Sequence, residues 1–129
     1  MSETFSISEL SREFEVTTRT IRHYEDLGLL APSRSGQNRI YSARDRVHLK
    51  LILRGRRLGF SLKETGELLE LYDAPNGEAS QLKRFIGKMR ERRNALLEQR
   101  RDIDRVLREL DDLEKRCARI LESRDENAA

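Results

Sequence analysis

The sequence predicts a mainly α-helical chain: a winged helix-turn-helix domain with a short β-hairpin wing, followed by one long coiled-coil helix. Three observations lead there. Helix-start signals follow one another closely near the N-terminus. Next, "LLAPSRSGQNRIY" gathers proline, glycine, asparagine and serine into a turn beside strand-forming residues. Finally, apolar residues recur at alternating spacings of three and four from Leu82 to Ile120. The 129 residues suit one small domain plus an extension. Charged residues make up 38% and apolar residues 36%, a balance that puts part of the chain on a long solvated helix. The expected divisions are 1–73 for the winged domain, 74–77 for a linker, 78–122 for the coiled-coil helix and 123–129 for a disordered tail.

Ser6-Ile7-Ser8-Glu9 is a capping box, with Phe5 and Leu10 spaced as a hydrophobic staple. Ile7, Leu10 and Phe14 mark one face, so the first helix runs from about 7 to 14. Thr17 caps a second helix, "TRTIRHYEDL", with Ile21, Tyr24 and Leu27 on one side and Gly28 as its stop. Two short helices and a tight turn are the helix-turn-helix pattern. Pro32 then forbids helix, Ser35-Gly36-Gln37-Asn38 is turn chemistry, and Arg39-Ile40-Tyr41 is the return strand of a hairpin. Ser42 caps a third helix from about 43 to 58, ended by Gly59. Ser61-Leu62-Lys63-Glu64 is a further capping box and opens a fourth helix to about 72. Asp73-Ala74-Pro75-Asn76-Gly77 breaks the chain.

In the last helix, Leu82, Met89, Leu96, Ile103, Leu110 and Cys117 occupy heptad position a. Phe85, Arg92, Gln99, Val106, Leu113 and Ile120 occupy position d. Such a helix, on the order of 65 Å long, cannot bury its seam on so small a domain. It requires a partner, most simply a second copy of itself.

Charge is unevenly spread. Residues 16–63 hold eleven Lys and Arg against three acids, a local net of +8, whereas residues 73–129 hold fourteen against thirteen. The first block is an electrostatic footprint for a polyanion, and the second an ion-pair-laced helix. A basic helix followed by a basic hairpin points to double-stranded DNA, because a helix fits the major groove and its first turn offers side chains and amides to base edges and phosphates. Thr17, Thr18, Arg19, Thr20 and Arg22 sit on that turn. Tyr24 can reach a phosphate through its hydroxyl, and Arg34, Asn38, Arg39 and Tyr41 on the hairpin can straddle an adjacent strand. One arginine alone would read as a solvated face, but a cluster with few acids on this layout reads as a DNA site. Arg54, Arg56 and Arg57 keep two readings, DNA contact or cations complementing a helix C-terminus.

Other chemistries find little support. Cys117 is the only cysteine, which excludes an intrachain disulfide or a multi-cysteine metal site, and at an a position it acts as a small hydrophobe. His23 and His48 lack companion ligands at metal spacing, so neither metal nor cofactor is expected. Nothing resembles a phosphate loop or a nucleophile with its base, so no enzyme is expected. Glu25-Asp26 and Asp111-Asp112 read as surface ion-pair partners. No apolar run is long enough to span a bilayer, and "MSETFSISEL" has no apolar signal core. No membrane partner and a cytoplasmic location follow as expectations.

The stretch "FSISELSREFEVTTRTIRHYEDLGLLAPSRSGQNRIYSARDRVHLKLILRGRRLGFSLKETGELLELYD" resembles the MerR family of bacterial transcription regulators. The motifs that carry the likeness are "TIRHYEDLGLL", the Arg39-Ile40-Tyr41 exit of the wing, and "RRLGFSLKE". The resemblance implies a homodimer joined by an antiparallel coiled coil on a pseudo-palindromic promoter operator. It implies bending and untwisting of the promoter spacer, so that RNA polymerase is engaged indirectly, through the DNA. It maps DNA contacts onto Thr18, Arg19, Arg22, Tyr24, Arg34, Arg39, Tyr41 and Lys63. Metal sensors of this family carry a cysteine near the start of the long helix and more beyond its end, where this chain has Ser80 and no cysteine after Cys117. The cysteine cluster of the iron–sulfur members is also missing, and the chain stops shortly after the seam, without the large C-terminal domain of the drug-binding members. Among short members, the sequence from Arg34 onward is most similar to the LiuR-type regulators of branched-chain amino-acid degradation. The effector does not follow from that likeness; a catabolic intermediate or its acyl-CoA ester is the candidate small molecule. The competing readings are an architectural winged-helix DNA binder similar to excisionases, without an effector, and a coiled-coil scaffold that binds no DNA. The basic block counts against the latter.

Overall fold

Local hydrogen bonding sets where the helices begin. The computed structural model describes residues 3–74 and 79–128. Its elements are β1 (Thr4–Phe5), α1 (Ile7–Phe14), α2 (Thr18–Asp26), β2 (Ser33–Ser35), β3 (Asn38–Ser42), α3 (Ala43–Leu58), α4 (Leu62–Asp73) and α5 (Ala79–Ala128). Ser6 Oγ accepts from the Glu9 amide at 3.1 Å while the Glu9 carboxylate accepts from the Ser6 amide at 3.2 Å. Ser42 with Asp45 and Ser61 with Glu64 repeat this reciprocal cap at the starts of α3 and α4. Thr17 caps α2 by accepting from the Thr20 amide at 3.1 Å. The turn between α1 and α2 has no glycine. Glu15 adopts the left-handed region there, with φ 55°, and the Ser11 hydroxyl donates to the Val16 carbonyl at 2.5 Å. The sequence offers no sign of that conformation.

The hairpin forms as expected, with Ser33 opposite Ile40, Arg34 opposite Arg39 and Ser35 opposite Asn38. Its two-residue loop begins at Gly36, whose φ of 63° requires a glycine-like conformation at the first loop position. A third strand was not anticipated. Two residues, Thr4 and Phe5, pair with Ser42 and Tyr41, giving the antiparallel order β1-β3-β2. The core of this first unit gathers Leu10, Ile21, Tyr24, Leu30, Tyr41, Leu49, Ile52 and Leu69.

Helices α3 and α4 approach closely at Gly55. A Cβ there would meet Thr65 Oγ1 at 2.8 Å and Cγ2 at 3.4 Å, and Thr65 is itself buried. Ion pairs tie the same helix to its neighbours. Arg46 grips both carboxylate oxygens of Glu13 on α1, with its guanidinium about 5.9 Å from the Phe5 ring and 5.8 Å from Phe14. Arg44 Nη2 and His48 Nε2 lie 2.7 Å and 2.8 Å from the carboxylate of Asp73, the last residue of α4.

The chain divides into two units, Met1–Leu82 and Lys83–Ala129. Beyond Ala74, the expected linker and the helix start at Glu78 fall outside the described residues. Helix α5 continues through Ala128, so residues 123–128 are helical where a disordered tail was expected. The reason is local: "ESRDENA" contains neither glycine nor proline, and nothing there ends a helix already under way. The 50 residues extend roughly 75 Å. Leu82, Met89, Leu96, Ile103, Val106, Leu110, Leu113 and Ile120 are exposed in the single chain, as is Cys117, whereas Phe85 is buried.

Gly55→Ala should destabilise the fold by roughly 1–3 kcal/mol through overpacking. Gly66→Ala on α4, where a Cβ meets nothing, should stabilise it by about 0.5–1 kcal/mol; urea melts of the pair test both signs. Hydrogen bonding to Arg46 lowers the Glu13 pKa below 4.5, and hydrogen bonding first to Arg44 and then to His48 lowers that of Asp73 below 3.8. Carboxylates depressed in the folded state stabilise it fully above their unfolded values and lose that contribution as pH falls through the folded ones. The melting temperature should therefore drop more steeply from about pH 5 to 3 in the wild type than in the Glu13→Gln/Asp73→Asn variant. Parallel slopes in calorimetry would remove these pairs from the acid response.

Candidate nucleic-acid interface

Helix α2 is anchored by its inner face. Ile21 is fully buried and Tyr24 nearly so, which turns Arg19 and Arg22 outward. Neither arginine has a hydrogen bond or ion pair among the described residues, and both stand exposed. Thr18 begins the helix beside them, and the Thr17 hydroxyl is engaged with the Thr20 amide and, at 2.9 Å, the Thr20 hydroxyl. The first turn of α2 thus offers two free guanidiniums beside helix-start amides, the donor set an anion meets at a helix N-terminus.

One flank of α2 forms a groove of about 520 Å³ with α3 and the start of α4. Arg19, Thr20, His23 and Tyr24 line one wall, Ile52 and Arg56 another, and Phe60, Leu62 and Thr65 the third. Arg56 Nη1 donates to the Tyr24 hydroxyl at 3.4 Å, so the tyrosine buries its ring and holds its polar end at this groove. Arg56, ambiguous in the sequence, joins the recognition helix here. Lys63 follows Leu62 on the first turn of α4 and is exposed. His23 and Phe60 were not picked out by sequence reasoning. The position of Phe60 between Gly59 and the Ser61 cap was the available signal.

The wing corrects part of the expected site. Arg34 and Asn38 are exposed on the hairpin, and Arg34 has no ion pair among the described residues. Tyr41 is fully buried, and its hydroxyl donates to Glu25 Oε1 at 2.5 Å. It has no surface to offer DNA, because the middle strand of the sheet points it into the core. Burial, and then the hydrogen bond to Glu25, push its pKa well above the ordinary tyrosine value, so the hydroxyl stays a donor. Arg39 Nε donates to Glu25 Oε2 at 2.9 Å, and its side chain is only 24% exposed. Glu25, read as a surface ion-pair partner, instead grips both wing residues with its two oxygens.

Apart from Arg56, which is bonded to Tyr24, the basic block therefore separates into two groups. Arg39, Arg44 and Arg46 are paired with acids inside the unit. Arg19, Arg22, Arg34, Lys50, Arg54, Arg57 and Lys63 have no hydrogen bond or ion pair among the described residues. Exposed cations on the second helix and wing of a helix-turn-helix fold, with others on α3 and the first turn of α4, define a DNA-binding protein class.

Comparison with known proteins agrees. Residues 5–71 match the MerR HTH family regulatory proteins, and residues 46–113 match the family described as MerR, DNA binding. The chain is 34% identical to the HTH-type transcriptional regulator HmrR of Rhizobium leguminosarum bv. viciae, over 85% of this chain and 78% of that protein. It is also 34% identical to the mercuric resistance operon regulatory protein of Bacillus cereus, over 88% and 85% of the two chains. The crystal structure of a MerR-family transcriptional regulator from Bacillus cereus aligns with a TM-score of 0.67 and 29% identity, covering 88% of this chain and 82% of that one. The chain belongs to the MerR family of DNA-binding transcriptional regulators, which are not enzymes. Among the described residues, no helix is long and apolar enough to cross a membrane.

Proposed function

We propose that this chain binds a pseudo-palindromic promoter operator as a homodimer and bends and untwists it. The supporting observation is the pairing of two features. Arg19, Arg22 and Arg34 are unpaired on the recognition helix and wing, and the α5 seam leaves leucines such as Leu110 and Leu113 56% exposed in the single chain. The first turn of α2 enters the major groove through Thr17, Thr18, Arg19 and Arg22. Arg34 and Asn38 on the wing, Lys63 on α4 and the Tyr24 hydroxyl hold the phosphate backbone. Arg39 and Tyr41 act behind this surface.

A second copy covers the seam in an antiparallel coiled coil, the arrangement implied by the family resemblance. Two recognition helices carried by one such rod have a fixed separation and angle. DNA that does not match this frame must bend, at a cost on the order of 1–6 kcal/mol, which flexible pyrimidine–purine steps lower and wing contacts offset. RNA polymerase then senses the protein through the geometry of the promoter.

The likeness of the segment from Arg34 onward to LiuR-type regulators supports catabolic target genes, those of branched-chain amino-acid degradation first, with an acyl-CoA ester or related intermediate as effector. The architectural, excisionase-like reading fits less well, since it leaves the exposed seam of α5 without a use. The mercury in the name of one relative belongs to that relative. Here the single thiol, Cys117, lies in the seam, and no group of three or more candidate metal ligands occurs among the described residues.

Sedimentation tests the dimer: wild type should be dimeric at micromolar concentration, and Leu110→Asp should yield monomers with weakened operator binding. A wild-type monomer would end the dimer reading. Arg22→Ala should leave the fold intact and lower affinity for a wild-type-selected duplex by about 1–3 kcal/mol if it reads a base. If it touches phosphate, the salt slope should fall by about one. Unchanged affinity and slope would take Arg22 out of the interface. Circularly permuted operator fragments test the bend; mobility independent of position would mean straight DNA.

A further inference from the structure

Glu25 lies on the last turn of the helix that carries Arg19 and Arg22, yet it faces the wing. Its side chain is about 10% exposed, and each oxygen has its own donor, the Tyr41 hydroxyl at 2.5 Å on Oε1 and Arg39 Nε at 2.9 Å on Oε2. Arg39 is the direct cross-strand neighbour of Arg34. Side chains opposite one another on an antiparallel ladder lie on the same face, and like charges there repel. Two guanidiniums thus share one face of a hairpin whose outer strand, β2, is exposed throughout. Burial of its own side chains does not hold β2, which is the edge strand and pairs only with β3. Glu25 supplies what is missing: it neutralises the inner guanidinium and ties β3 to the recognition helix.

We infer that Glu25 is a positioning residue that fixes the wing relative to the recognition helix, so that Arg34 reaches the DNA backbone at a set distance from Arg19 and Arg22. The inference rests on the DNA-binding reading above. Glu25 itself touches no DNA. A carboxylate on a recognition helix would ordinarily repel phosphate, and here its charge is engaged by Arg39 instead.

The test uses the full chain and a duplex selected by the wild type from a random-sequence pool. Affinity is measured by fluorescence anisotropy across a salt series. In the wild type, Arg34→Ala should reduce the salt slope by about one, the loss of a single phosphate contact. In a Glu25→Gln background the same change should reduce it by less than half as much, because Arg34 is no longer held on the backbone. Arg22→Ala should weaken binding equally in both backgrounds, which a general loss of folding would not allow. Tyr41→Phe keeps the buried ring, removes only the donor to Oε1, and should also diminish the Arg34 effect should Glu25→Gln fold poorly. Equal slope changes from Arg34→Ala in every background would overturn the inference. No slope change in the wild type, with Arg22→Ala still harmful, would overturn it while leaving DNA binding intact. Failure of the wild type to retain any duplex would overturn both.

Discussion

A buried hydroxyl must have an acceptor, and Tyr41 puts that requirement at the centre of the N-terminal unit. The residue sits on the middle strand of a three-stranded sheet with no accessible surface. Leaving its oxygen unpaired there would cost on the order of 1–3 kcal/mol, and Glu25 of α2 answers it. Sheet and recognition helix are thereby referred to one point. Across the ladder, Tyr41 faces Phe5. The Phe5 ring lies near the Arg46 guanidinium, which in turn holds Glu13 of α1. Two strands and three helices are thus linked through contacts that begin at a single side chain.

The arginines illustrate a division that composition hides. A count of positive charge treats all eleven basic residues of the block alike. In the structure, those on β3 and the first two turns of α3 are internal fasteners, each opposite a carboxylate. Those on the outer face of α2, on β2, on the rest of α3 and at the start of α4 are left available. The field that draws in a polyanion is therefore weaker than the formal +8, since Arg44 and Arg46 are offset by Asp73 and Glu13 from outside the block.

Much of the fold was legible because its determinants are local. Ser6 with Glu9 and Ser61 with Glu64 are capping boxes whose partners lie three residues apart, and Gly36 marks the only place the hairpin can turn. The seam of α5 is likewise a periodicity. What stayed hidden depends on distance in sequence. Strand β1 is two residues long and exists only because Thr4 and Phe5 find Ser42 and Tyr41. Tyr41 looked like a DNA contact because its link to Glu25 crosses sixteen positions, and nothing in either neighbourhood announces it. The left-handed Glu15 escaped notice for a different reason: glutamate is a poor signal for that conformation, which the Ser11 hydroxyl and backbone bonds around the turn hold in place. Arg19, Arg22 and Arg34 were read as DNA contacts, and the structure leaves them exposed, since a basic residue opposite an apolar helix face or on a hairpin edge has few other places to go.

The polar interruptions of the α5 stripe, Arg92 and Gln99, bear on the fidelity of the proposed dimer. A stripe of leucines alone would accept almost any similar helix in almost any alignment. An arginine in an apolar seam makes each alignment differ in cost, because sliding by a heptad changes the neighbour its charge must meet. Chains whose own polar positions fall elsewhere are penalised as companions, so hybrids between paralogues in one cell are disfavoured. The same rule has a darker side. A fragment retaining the whole stripe but no recognition helix would match the intact chain in every layer. In the proposed dimer it would capture full-length subunits in half-armed pairs.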